Sequence, residues 1–176
     1  MNRSKLLAIS ALLATAAILL GYVESLIPVL PQMPGIKLGL GNIAVVLALR
    51  LPGSYRAAWG VMLTKVLVCA ALFTGPGALP YSLAGGVASL IVMSLLCRAK
   101  HLSCIGDSAA GGAAHMAAQT MVAALLTSTD EVLLLLPVLT AVGVLTGTAN
   151  GAIANMTLNP LKRYFSNAKT KPYADS

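Results

Sequence analysis

Seven polar side chains stand inside or at the ends of long apolar stretches: Glu24, Asn42, Lys65, His115, Gln119, Asn150 and Asn155. A charge at the centre of a bilayer costs at least ~2.5–3.5 kcal/mol on insertion scales. Such groups are therefore expected to turn toward protein or water. The chemistry they can do is non-covalent: hydrogen bonding and charge pairing with a small polar ligand. Lys65 falls too deep in its apolar block for easy snorkelling and needs a negative counterpart. That is either Glu24 or an anionic group on a ligand. His115 and Gln119 lie one helical turn apart, on a face that also carries Ser108, Gly111 and Gly112. They either bridge helices or meet a ligand. No metal centre is expected, because the other histidine, His101, falls in a polar loop. Cys69, Cys97 and Cys104 lack metal-ligand spacing and read as packing thiols.

These residues must be positioned by membrane helices. The chain is 57% hydrophobic and only 10% charged, with a mean hydropathy of +0.84 over 176 residues. A soluble domain carries about 25% charged residues. Apolar blocks fall at about 5–24, 38–51, 56–74, 80–97, 107–128 and 132–156. Proline, glycine and polar residues separate them, as at Pro52-Gly53 and Thr74-Gly75-Pro76-Gly77. The expectation is an all-α integral membrane protein with about six transmembrane helices in one bundle. Residues 1–160 form that domain and 161–176 a basic cytoplasmic tail. The N-terminal block runs too long for a cleaved signal peptide. The second block is short, so Arg50 and Lys37 are expected to snorkel from its two ends, or the helix to tilt or shelter among its neighbours.

Charge placement sets the orientation. With the N-terminus in the cytoplasm, Arg3, Lys5, Arg50, Arg56, Arg98, Lys100 and the basic tail fall inside, while Lys37 falls outside. Both termini are then cytoplasmic and the location is the cell membrane. The net charge of +7 is a topology signal, with the tail an interfacial anchor on membrane lipid; no nucleic-acid partner is expected.

Residues 27–42, IPVLPQMPGIKLGLGN, interrupt the apolar pattern with three prolines and several glycines. Irregular backbone must find partners in water or protein. A stiff, apolar segment with Lys37 and Asn42 as donors predicts a cover over a cavity, or a rigid connector. Gly143, Gly147, Gly151 and Asn155 form a ridge at i+4 for close helix packing, with Asn150 beside it. Ser82, Gly85, Gly86, Ser89 and Met93 line one side of the fourth block. Ala8, Ala11 and Thr15 make a smooth face on the first, which receives a partner helix or packs within the monomer.

The runs ESLIPVLPQMPGIKLGLGN, LAGGVASLIVMSLL, IGDSAAGGAAHMAAQ and VLTGTANG resemble a bacterial membrane family called the Gx transporter family. Its older label is heptaprenyl diphosphate synthase component I. The resemblance covers roughly residues 20 to 155. It implies likeness to the substrate-binding S components of energy-coupling factor transporters. Those are six-helix proteins that hold a ligand near the outer face, here at Glu24, Lys37, Asn42, Lys65, His115, Gln119 and Asn150. Their smooth first helix, here Ala8, Ala11 and Thr15, meets a transmembrane coupling subunit driven by two ATPases. The older label implies instead a polyprenyl synthase partner, in isoprenoid or quinone metabolism or in flavin or quinone electron transfer. Prenyl transfer itself needs aspartate-rich Mg²⁺ sites. Asp107, Asp130 and Asp175 stand far apart, so no catalytic residue and no cofactor are expected. Two departures from the family pattern are Asp107, where an uncharged residue is expected, and Lys65, where arginine is more usual.

Overall fold

A computed structural model describes residues 3–26, 39–51, 55–99 and 103–170, with side chains described as far as Leu161. Lys37 and most of the 27–42 stretch lie outside the described residues. The elements are α1 (Arg3–Leu26), α2 (Leu40–Arg50), α3 (Tyr55–Cys69), α4 (Leu79–Ala99), α5 (Cys104–Thr127) and α6 (Leu136–Thr170). A π-helical turn, Ala70–Thr74, extends α3, and short 3₁₀ turns lead into α4 and α6. No strand occurs among the described residues.

Among the described residues, five helices are long and apolar enough to cross a membrane. Each spans at least the ~30 Å that a bilayer core demands at 1.5 Å per residue. The protein is an all-α, multi-pass membrane bundle. Its outer surface is leucine: Leu12, Leu67, Leu95, Leu125 and Leu145 are all more than 50% exposed. Its interior is small and partly polar.

The expected second span is the exception in length. Helix α2 has 11 residues, roughly 16 Å of rise, about half a bilayer core. Burial resolves the mismatch. Gly41 and every residue from Ile43 to Leu49 are buried, so α2 forms the core of the bundle and needs little lipid contact. Helices α1, α3, α4, α5 and α6 are neighbours in that order, and α2 packs between α1, α3 and α6. Of the expected alternatives, shelter among its neighbours is what α2 shows, and the Arg50 guanidinium at its end is ion-paired with Asp107 of α5. Asp107 is buried and sits one turn inside the helix, so pairing gives the arginine a counter-charge within the protein.

Glycine sets the α5–α6 seam. A β-carbon on Gly112 would overlap the Gly143 carbonyl oxygen, and one on Gly147 would overlap that of Ser108. A β-carbon on Gly151 would lie 2.8 Å from Ile105 Cα. The expected small-residue ridge is therefore a backbone-to-backbone contact.

Local signals end the helices as expected. Ser103 caps α5, its hydroxyl oxygen accepting the Gly106 amide at 3.2 Å, which starts this helix three residues before the anticipated Asp107. Ser128 ends it in the left-handed region (φ 51°). Helix α6 outruns its anticipated end at 156, passing through Pro160 to Thr170, although its apolar portion stops at Leu161.

Candidate functional site

The site is built around the first turn of α2. Gly39 precedes the helix in the left-handed conformation (φ 70°), a backbone that a side chain would strain. A buried helix start exposes amide groups that need acceptors. The Glu24 carboxylate, at the end of α1, accepts the Gly39 amide. From α6, the Asn150 side-chain amide donates to the Gly39 carbonyl at 3.1 Å. From α3, Lys65 Nζ donates to Asn42 Oδ1 at 2.7 Å. Three helices thus hold one turn of a fourth.

Gly41 makes this approach possible. A β-carbon there would lie 2.6 Å from Lys65 Cε and 2.8 Å from the Ala17 carbonyl oxygen. The glycine lets the lysine stem run along α2 while α1 presses from the other side. Gly85 on α4 does the same for the α5 pair. A β-carbon on it would meet the His115 ring at 2.8 Å and Gln119 Cγ at 2.9 Å.

These side chains surround a cavity of about 90 Å³ to which all six helices contribute. A single water needs roughly 10–15 Å³ by this kind of measure, so the space exceeds one solvent molecule several times over. Glu24, Asn42, Lys65, His115, Gln119 and Asn150 all line it. So do Ser82, Gly86, Ser89 and Met93, from one side of α4. Both charged groups, Glu24 and Lys65, engage the first turn of α2 through separate partners.

Three expectations fall elsewhere. Lys37 lies outside the described residues. Asn155 is exposed on α6, away from the cavity, so the rule that intramembrane polar groups turn inward fails for it near the helix's polar end. Ala8, Ala11 and Thr15 are exposed on α1, and the Thr15 hydroxyl is satisfied by the Ala11 carbonyl at 3.0 Å. That face is not used for packing among the described residues.

The Arg50–Asp107 pair is what sequence reasoning missed. The usable signal was two opposite charges on the same side of the membrane, Arg50 closing the second apolar block and Asp107 opening the fifth. Ser108, the next residue after Asp107, lines the cavity. The pair therefore joins α2 to α5 beside the end of the chamber remote from Glu24. One Asp107 oxygen, Oδ1, has no hydrogen-bond partner among the described residues.

The arrangement offers hydrogen-bond donors and acceptors and two charged side chains around one cavity. Among the described residues no group of three or more histidine, cysteine, aspartate or glutamate side chains could hold a metal ion. Compared with curated proteins and with solved structures, the chain gives no match in either. A family model does match, over residues 13–157, which takes in part or all of each of the six helices and all the described cavity-lining residues. On that match the chain belongs to the heptaprenyl diphosphate synthase component I family.

Proposed function

We propose that this protein is the ligand-binding membrane component of a transporter whose energy comes from partner proteins. The observation that carries the reading is the polar chamber lined by all six helices within a leucine-faced bundle. Glu24 and Lys65 already hold the first turn of α2, and each has hydrogen-bonding capacity left for a polar guest. The sequence has no GxxxxGKS/T phosphate-binding loop, so nucleotide hydrolysis would belong to other subunits. The positive-inside pattern assigns both termini to the cytoplasm. The chamber's Glu24 end then faces outward, and the ligand enters from that side. An energy-coupling-factor-like module, a transmembrane coupling subunit with two ATPases, is the partner set proposed.

The test is native mass spectrometry of gently extracted protein. A retained small molecule, lost in a Lys65→Ala variant of unchanged fold, is the expected result. Protein that carries no small molecule from any growth medium, with a chamber inert to every added solute, would sink the reading.

The family description favours a second reading: a non-catalytic membrane partner of a polyprenyl diphosphate synthase. A synthase component of this kind would act beside a catalytic subunit, consistent with a sequence that lacks an aspartate-rich motif. Adding the purified protein to a synthase and measuring chain elongation separates the two. A change in product length or rate favours the partner role.

A further inference from the structure

One carboxylate, Glu24, and one ammonium, Lys65, line the chamber and carry opposite formal charges. Glu24 holds the Gly39 amide and Lys65 holds Asn42 Oδ1. Gly39 and Asn42 are themselves joined by a 2.8 Å hydrogen bond across a single turn, so the two charged groups address one small region. The remaining polar lining is of amides, hydroxyls and one imidazole, among them Asn150, Gln119, Ser82, Ser89, Ser108 and His115. No phenylalanine, tyrosine or tryptophan is among the described lining residues.

Charge, size and surface each restrict the guest. Glu24 and Lys65 cancel, so a guest with a net charge leaves one uncompensated charge inside a low-dielectric bundle, which is expensive. A guest carrying one positive and one negative group keeps the balance and offers each side chain a partner. Both side chains have the capacity: an ionised carboxylate has two acceptor oxygens and an ammonium three donors. Glu24 can therefore keep the Gly39 amide, and Lys65 the Asn42 oxygen, while each meets a guest. The volume, about 90 Å³, falls below the ~150 Å³ of an engineered cavity that holds benzene. That leaves room for a handful of heavy atoms. The lack of aromatic side chains removes the usual platform for stacking a flat ring.

We infer that the chamber's guest is a small, non-aromatic zwitterion of the α-amino-acid type. Its carboxylate is received by Lys65 and Asn42, and its ammonium by Glu24. This rests on the reading of the chamber as a ligand site. It narrows that reading from any polar solute to one charge pattern, and it sets aside a simple anion for Lys65.

The experiment uses the full-length protein in lipid nanodiscs and follows its melting temperature. The probes are alanine, propionate (alanine without the ammonium), ethylamine (alanine without the carboxylate) and phenylalanine, at matched ionic strength. Alanine is expected to raise the melting temperature saturably, and the other three to leave it within error. Glu24→Gln and Lys65→Gln keep side-chain shape and remove one charge each. In Glu24→Gln the preference should move to propionate, and in Lys65→Gln to ethylamine, each with at least a tenfold change in half-saturating concentration relative to alanine. A purely structural role for either residue would lower the baseline melting temperature without reordering the probes. Stabilisation of the parent protein by propionate, ethylamine or phenylalanine as strong as that by alanine overturns the inference. So does an unchanged order in both variants. If no probe acts while native mass spectrometry finds a different retained molecule, the zwitterion inference fails and the ligand-binding reading stands. If neither experiment finds a guest, both fail.

Discussion

Arg50, in the last turn of α2, is ion-paired with Asp107, in the first turn of α5, and the pair ties α5 to a helix too short to span a membrane. The aspartate side chain is 3% exposed and the arginine 22%. Removing one partner of a buried pair leaves the other charge uncompensated, at a cost of ~3–5 kcal/mol. Arg50 keeps some exposure, so the lower end, about 3 kcal/mol, is the expectation for Asp107→Asn. The double variant Arg50→Met/Asp107→Leu should regain most of that loss, because both charges leave together. Unfolding in mild detergent with a graded denaturing detergent reads the difference. An Asp107→Asn protein as stable as its parent would show that the pair contributes nothing.

The α5–α6 seam should tolerate no side chain. Gly112→Val and Gly147→Val push a β-carbon into backbone carbonyls that cannot move as a flexible side chain can. Overpacking a well-filled interior costs typically ~1–3 kcal/mol, and a backbone clash belongs at or beyond the upper end. Gly60 provides the contrast. It lies in α3 with nothing near its would-be β-carbon. Gly60→Ala should therefore stabilise by up to ~1 kcal/mol through helix propensity. Parallel melting curves decide the point, and an equal loss from all three substitutions would contradict the packing described.

Gly85→Ala tests whether His115 and Gln119 are placed by the glycine opposite them. Its β-carbon would meet two side chains, not backbone. The neighbours can yield, so stability should fall by about 1 kcal/mol or less. Ligand retention should fall at least tenfold, because both polar groups shift within the chamber. Native mass spectrometry of Gly85→Ala beside the parent protein checks it. Retention unchanged at a lowered melting temperature would make the pair structural only.

Much of this was legible before any coordinates. Breakers and hydropathy located the helices, because bilayer thickness leaves few ways to arrange so apolar a chain. The inward-facing set Glu24, Asn42, Lys65, His115, Gln119 and Asn150 was legible for a related reason: lipid penalises each of them. What the sequence could not reveal was pairing. Lys65 had two plausible counterparts, and it engages Asn42, while Glu24 serves the amide at the start of α2. Nothing local distinguishes a carboxylate that pairs with a lysine from one that caps a helix on a neighbouring segment. The partner of Arg50 was hidden for the same reason. It lies 57 residues away, and one-dimensional pattern carries no record of that contact. Asn155 failed the inward rule because the penalty on a polar group weakens toward the end of a span, where headgroups and water are within reach.

The exposed face of α1 gives the last prediction. Ala8, Ala11 and Thr15 lie along one side of the helix, and all three are exposed. Small residues on a membrane helix let another helix approach closely, and the bundle leaves this strip unused. Substituting Ala8→Leu and Ala11→Leu adds apolar bulk that lipid accepts, so the isolated protein should melt within about 0.5 kcal/mol of its parent. If the strip seats a partner helix, the same substitutions should abolish co-purification of membrane subunits from the native host while chamber binding persists. The reverse pattern, lost binding with partners retained, would place the strip's role inside the monomer. Co-purified ATPase subunits would support the transport reading, and a co-purified prenyl synthase the alternative. Either partner should leave when Ala8 and Ala11 are enlarged, and a partner that stays would have to dock on another face of the bundle.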